Sequence, residues 1–422
     1  MFTSRPSLWT DIGCVDEDKA LVYLERSKSS PISLSLRRDH RLSLCDPLLE
    51  IIPRAIGRLG SLSIEATSEN LHPITSQLSR PAPLLEELSI CGDCQLVSRY
   101  PVLTPTLFGG DLSSLRRLCL ESVRTELPWR NMVNLTSFLL AYTWPGEISV
   151  RQLLDFFESA PHLREVELHS ATPTSGAQNR RLVSLACLKR MHITNGGPSF
   201  VLFDHLLIPV GAELITQADL PIGDLLPRYL DNLRNFSNFT TIQLYVGASR
   251  LDMDFSGPNG RVRMSPRTSR ADMTCFVHES LAQFDTSKTE RFKIGGCVPL
   301  SRDPLYLALL PMKDLRFLLL YECISPHTCI RALHPRTGSL EVVACPNLEE
   351  LVLVLRSDEE RFDIGSVIGM AEARASRGKK LGTVKIVDRQ DEPDPEDLFE
   401  LGKHVRHVEY GYPVDAIDDE ED

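Results

Sequence analysis

Aliphatic residues return along this chain in one short phrase. In CPNLEELVLVLR, Cys345 to Arg356, the residues Leu348, Leu351 and Leu353 spell L-x-x-L-x-L. Successive side chains of a strand point to opposite faces, so these aliphatics share one side while Glu350, Val352 and Val354 take the other. A single strand of this kind cannot bury its apolar face and requires neighbours built like itself. The chain supplies them in order: Leu59, Leu62, Ile64; Leu85, Leu88, Ile90; Leu115, Leu118, Leu120; Leu135, Phe138, Leu140; Leu163, Val166, Leu168; Leu188, Met191, Ile193. They continue through Phe239, Ile242, Leu244; Phe292, Ile294; Leu315, Leu318, Leu320; Leu381, Val384, Ile386; and Val405, Val408. Several share a lead-in of Pro or Asn, as in APLLEEL, APHLREV and MVNLTSF.

The central aliphatics from Leu62 to Met191 recur roughly every 20 to 30 residues, the period of a leucine-rich repeat. Between Met191 and Ile242 the interval doubles, and GAELITQA around Leu214 reads as a degenerate repeat filling the gap. Segments between the strands carry helical spacing. Ser149 is placed as N-cap of VRQLLDFFESA, whose Val150, Leu153, Leu154 and Phe157 fall at i, i+3, i+4 and i+7. DPLLEIIPRAIGRL, GDLLPRYLDNLRNF and DIGSVIGMAEARASRG behave similarly, with Pro53 and Pro227 interrupting or starting the helical run. The unit is therefore strand, turn, helix, turn, and the expected fold class is α/β. It is a curved leucine-rich-repeat solenoid, with a parallel β-sheet of about a dozen strands on the concave face and helices and turns on the convex face. The expected boundaries are a lead-in over 1–45, the solenoid over 46–412, a loop insertion at 256–273 and an acidic disordered tail at 413–422.

Composition refines this picture. The chain has 422 residues, 42% of them hydrophobic and 24% charged, with a formal net charge of −11. An acidic chain lacks the electrostatic footprint of a nucleic-acid binder. It contains no apolar run long enough to span a membrane, and MFTSRPSLWTDIGC lacks the apolar core of a signal peptide, so the expected location is intracellular, cytoplasmic or nuclear. Eleven cysteines scattered without a framework fit reduced thiols. Arg261, Arg263, Arg267 and Arg270 make Ser256 to Met273 locally basic, and its Gly, Pro and Ser content reads as a solvated loop.

RPSLWTDI at Arg5 to Ile12 and KALVYLERSKSSPISLSL at Lys19 to Leu36 resemble the junction of fungal F-box/leucine-rich-repeat proteins. The segments His205 to Gly211 and Ser256 to Gly260, and CPNLEELVL, resemble the same family, so the likeness runs through the chain from about Arg5. It implies a module like the substrate-recognition half of a ubiquitin-ligase adaptor. The family's F-box, opening with an L-P-x-E-L/I phrase, is not visible ahead of Leu8 and Trp9. A truncated gene model, a start within a longer gene and an F-box-less paralogue each account for that. Docking to the linker subunit of a cullin ligase is expected only if an F-box exists upstream.

Chemistry is sparse. Cys91 and Cys94 form the only C-x-x-C and lack the second pair that a structural zinc site needs, so they read as turn thiols. His162, His169, His404 and His407 read as satisfied histidines, the last two in the final strand. Motifs for phosphate cradling, dinucleotide binding, nucleophile-elbow hydrolysis and zincin chemistry are all missing. The expectation is a non-catalytic protein-interaction module with no cofactor and no metal, and with a protein rather than nucleic acid or membrane as partner. The alternative is a stand-alone scaffold or inhibitor without a ligase connection. Residues between and beside the strand aliphatics define the expected binding face. They are Glu165, Glu167 and His169, then Arg190 and His192, then Tyr245, then Arg291 and Lys293. Phe317, Leu319, Tyr321, Val352 and Val354 follow as an apolar sector, either an interface with Phe317 and Tyr321 as anchors or a patch covered by another segment.

Overall fold

Each aliphatic phrase forms a strand, and the strands align so that equivalent positions sit side by side. The computed structural model describes residues 5–13, 17–36, 51–92, 102–103, 107–125, 131–142, 148–171, 181–194, 200–218, 233–247, 250–266, 277–279, 281–282, 284–296, 301–322, 326–335, 343–355, 362–387 and 394–411. By internal contacts the chain divides into one unit of residues 1–217 with 227–233 and another of 218–226 with 234–422.

The first unit contains β1 (Asp11–Gly13), β2 (Ile32–Leu36), β3 (Leu59–Ala66), β4 (Glu87–Gly92), β5 (Arg117–Glu121), β6 (Ser137–Ala141), β7 (Glu165–His169), β8 (Arg190–Thr194) and β9 (Glu213–Ala218). Each pairs in parallel with the next. One column runs Ile12, Leu34, Leu62, Leu88, Leu118, Phe138, Val166, Met191, Leu214, so the degenerate repeat at Leu214 occupies the place expected of it. Every member is buried, worth about 1.5–3 kcal/mol per large aliphatic. The sheet begins at Asp11, ahead of the boundary expected near residue 46. Helix α1 (Glu17–Arg26) and the Pro6–Trp9 turn are joined there by an edge contact of Trp9 with Tyr23 and by the Arg26 guanidinium over the Trp9 ring.

The second unit holds β10 (Thr241–Val246), β11 (Leu251–Gly257), β12 (Gly260–Pro266), β13 (Arg291–Gly296), β14 (Phe317–Tyr321), β15 (Glu350–Val354), β16 (Thr383–Val387) and β17 (His407–Gly411). Strands β10, β13, β14, β15, β16 and β17 are parallel neighbours in that order, with the column Ile242, Phe292, Leu318, Leu351, Val384, Val408. The loop expected at 256–273 is, through Pro266, an antiparallel hairpin: β11 pairs with both β10 and β12. Leu251, Met253, Phe255, Val262 and Met264 alternate and are all buried, so period-two burial prevails over the polar composition. Residues 267–273 and the acidic tail lie outside the described residues. His404 ends a helix rather than lying in the last strand, because a continuous turn pattern from Pro395 to His404 is capped at Asp394. Among the described residues no helix is long and apolar enough to cross a membrane.

Two backbone devices make the repeats stack. In several repeats the leucine that leads into the strand donates its N–H to the carbonyl three residues earlier, as in Leu85 to Ala82, Leu135 to Met132, Leu163 to Ala160 and Leu348 to Cys345. The residue just before that leucine can then reach back to the preceding repeat. Ser114 Oγ donates to Pro83 O at 2.7 Å, Asn134 Nδ2 to Ser113 O at 2.7 Å and Asn347 Nδ2 to Lys313 O at 3.0 Å. Strand exits take left-handed backbone at Ser122, Tyr142, Ser170 and Glu322, each donating its N–H to the following strand.

Between strands, α2 (Ser68–Ser76), α3 (Val150–Ser159), α4 (Arg302–Leu309), α5 (Pro326–Leu333), α6 (Gly365–Ala375) and α7 (Pro395–His404) supply the helical layer. In α3, Ser149 Oγ accepts from Gln152 N at 3.2 Å and Gln152 Oε1 accepts from Ser149 N at 2.9 Å, a reciprocal cap. Its apolar face seats Phe156 against Phe138 of β6, with ring centroids 4.5 Å apart. Ser149→Ala should therefore lower stability by about 1 kcal/mol, read from the denaturant midpoint at unchanged slope. The helical run expected at 223–236 lies mostly outside the described residues.

Candidate functional site

The strand face opposite the aliphatic columns is polar in the first unit, and parallel register converts single residues into lateral rows. Glu165, Arg190 and Glu213 lie side by side on β7, β8 and β9, with Arg190 Nε 3.5 Å from Glu213 Oε2. The next row inward reads Leu139, Glu167, His192, Ile215, and the one beyond it Ala141, His169, Thr194, Gln217.

These rows bring Glu167, His169 and His192 together. His169 Nε2 lies 3.0 Å from Glu167 Oε2, and His169 Nδ1 lies 2.7 Å from Thr194 Oγ1. The His169 and His192 rings meet edge to face at 5.0 Å. Burial, followed by the neighbouring His169, holds the His192 imidazole below its ordinary pKa and so favours its neutral form. Its Nε2 is shut off from solvent and has no hydrogen-bond partner among the described residues. Read one strand at a time, His169 looks like a satisfied histidine. Its neighbour His192 is distant in sequence and only strand register delivers it.

Nearby thiols are quiet. Burial, with Glu121 and Glu65 adding to it, pushes Cys91 up to about 12, and burial also raises Cys119. Both are held as neutral thiols at pH 7, which argues against nucleophilic use. Cys94 lies outside the described residues.

The second unit's face changes character along its length. Tyr245 is exposed, and Arg291 lays its guanidinium over the Phe317 ring at 4.3 Å. Lys293, Leu319 and Val352 are register neighbours. Phe317, Leu319 and Tyr321 are half-buried and pack against a cluster of Val352, Val354 and Val387. Val352 is 6% exposed and Val354 5%. These two valines are thus core residues rather than contact residues, because β15 carries apolar side chains on both faces and both faces are withdrawn from water. Tyr321 leans over Gly295, where an added Cβ would stand 3.3 Å from its ring.

The arginines of the hairpin are engaged within it. Arg261 Nε lies 2.9 Å from Asp254 Oδ1, and Arg263 Nε 3.4 Å from Asp254 Oδ2, so the basic stretch is partly neutralised within its own sheet. Arg267 and Arg270 lie outside the described residues. A shallow groove of about 400 Å³ follows the leading turns of successive repeats, lined by Glu86, Arg116, Asn134, His162 and Arg164 among others.

No family model matches the chain, and no curated protein matches it.

Proposed function

We propose that both units are leucine-rich-repeat solenoid segments and that the chain works as a protein-interaction module, its polar sheet face receiving a protein partner. The observation that carries this reading is the register: solvent-facing Glu165, Arg190 and Glu213 form one lateral row across β7 to β9, with half-exposed Glu167 and His192 in the next. Such rows present an extended two-dimensional pattern of charge, suited to recognising a complementary surface rather than enclosing a small molecule. The RPSLWTDI and YLERSK phrases, packed together through Trp9, Tyr23 and Arg26, add the likeness to F-box/leucine-rich-repeat adaptors. In that reading the partner is a ubiquitylation substrate wherever an F-box accompanies this chain. Without one, the same face serves a scaffold or inhibitor.

Proximity labelling in cells with the 422-residue chain tests the surface. Paired reversal, Glu165→Lys with Arg190→Glu, should remove the labelled partners while the thermal transition moves by no more than a few degrees. Unchanged labelling would place the interface elsewhere. Capture of the cullin linker subunit by the chain, compared with a form carrying a grafted F-box, separates adaptor from scaffold.

A further inference from the structure

We infer that Glu167, His169 and His192 form a binding site for a divalent transition-metal ion, with zinc as the best fit. Their candidate ligand atoms, a carboxylate oxygen and two imidazole nitrogens, all lie within 4.8 Å of one another. A tetrahedral zinc ion bonds such donors at about 2.0–2.2 Å and so wants them about 3.3–3.5 Å apart. The Glu167–His169 pair stands at 3.0 Å and opens slightly around an ion, while the His192 nitrogen, within 4.8 Å of both, moves inward.

Three features of the surroundings support a metal over a chance polar contact. His192 Nε2 is buried and lacks a partner among the described residues, an arrangement that is unfavourable unless something binds there. Thr194 Oγ1, 2.7 Å from His169 Nδ1, can accept that nitrogen's proton. In that tautomer His169 Nε2 presents its lone pair on the Glu167 Oε2 side, where a metal ion can take the place of the proton the pair otherwise shares. The row is also continued by apolar residues on both sides, Leu139 beyond Glu167 and Ile215 beyond His192. Two nitrogens and one oxygen suit zinc better than calcium or magnesium, which prefer all-oxygen shells. With three protein ligands, the fourth position of a tetrahedral ion is left to water or to a donor from a bound molecule. Metal binding by the isolated chain is independent of the partner reading, and either can fail without the other.

The test uses the full chain, stripped with chelator and titrated with Zn²⁺ by calorimetry and with Co²⁺ by visible absorption. Stoichiometric Zn²⁺ binding and tetrahedral-type Co²⁺ absorption are expected, with a zinc-dependent rise in the thermal midpoint. His192→Asn should weaken Zn²⁺ at least about 100-fold and abolish the Co²⁺ bands, and Glu167→Gln should weaken it about 10-fold and shift them. His162→Ala, at an exposed histidine outside the cluster, should change nothing. Circular dichroism of the metal-free variants, matching the parent, separates ligand loss from unfolding. No stoichiometric binding by the parent, or equal affinity in His192→Asn, overturns the assignment and leaves a hydrogen-bonded triad alone.

Discussion

Gly296→Ala should lower stability by about 4 kcal/mol, among the largest costs of a single methyl group in this chain. Gly296 closes β13 with φ +131, a conformation that L side chains rarely adopt, and an added Cβ would stand 2.1 Å from Val246 O of β10. The obstructing atoms are backbone held in the β10–β13 ladder, so a side-chain rotation cannot relieve the clash. The expected readout is a thermal midpoint lower by roughly 10 °C. Lost amide protection should be concentrated at Thr241–Val246 and Arg291–Gly296. Gly402→Ala is the control with the opposite sign. That glycine lies in α7, where an added methyl group would meet nothing within 4 Å, and alanine should stabilise the helix by up to about 1 kcal/mol. Equal effects at the two sites would show that the close approach at Gly296 is not what selects glycine there.

Arg374→Ala should cost about 3–4 kcal/mol, combining a core void with two abandoned carbonyls. Arg374 is a fully buried side chain near the end of α6, and it donates from Nη1 to Ala344 O at 2.9 Å and from Nη2 to Cys345 O at 2.8 Å. Cys345 has φ +50 and opens the turn that launches β15. The guanidinium thus ties the helix of one repeat to the leading turn of another. Burial lowers its pKa, yet arginine stays protonated at neutral pH, so both hydrogen bonds are charge-assisted. Arg374→Met, which retains volume and removes the buried charge, should cost less than half as much. Hydrogen exchange at Leu348–Val354 and at Val367–Ala371 reads both. If Met proves as damaging as Ala, hydrogen bonding rather than packing dominates at this position.

The hydrophobic pattern places Leu62, Leu88, Leu118, Phe138, Val166, Met191 and Leu214 in one register, and the strands align them so. Ser149 is equally legible as a cap, because the capping box is local. The hairpin at 251–266 is present as plain alternation, Leu251, Met253, Phe255 against Val262, Met264. Arginine, proline and serine in the same stretch draw attention to composition instead. Val352 and Val354 are readable as apolar and displaced from the repeat face, but whether they stay in water depends on what packs over them. The left-handed exits at Ser122, Tyr142, Ser170 and Glu322 carry no residue signal, since only glycine announces such a conformation by type.

By itself the sequence determined a period, a strand face and a helical face, because these depend on which neighbours along the chain are apolar and at what spacing. It therefore determined an α/β chain with parallel strands and the identity of most core columns. The tertiary structure alone decided which polar residues stand next to one another across strands. Glu167 and His169 are separated from His192 by the whole connection between two strands, and only the pairing of β7 with β8 brings them within bonding range. It decided likewise that Arg374 would satisfy the carbonyls of Ala344 and Cys345. Hydrophobic burial is set by local spacing, whereas polar chemistry is set by register, and register exists only once the strands have paired.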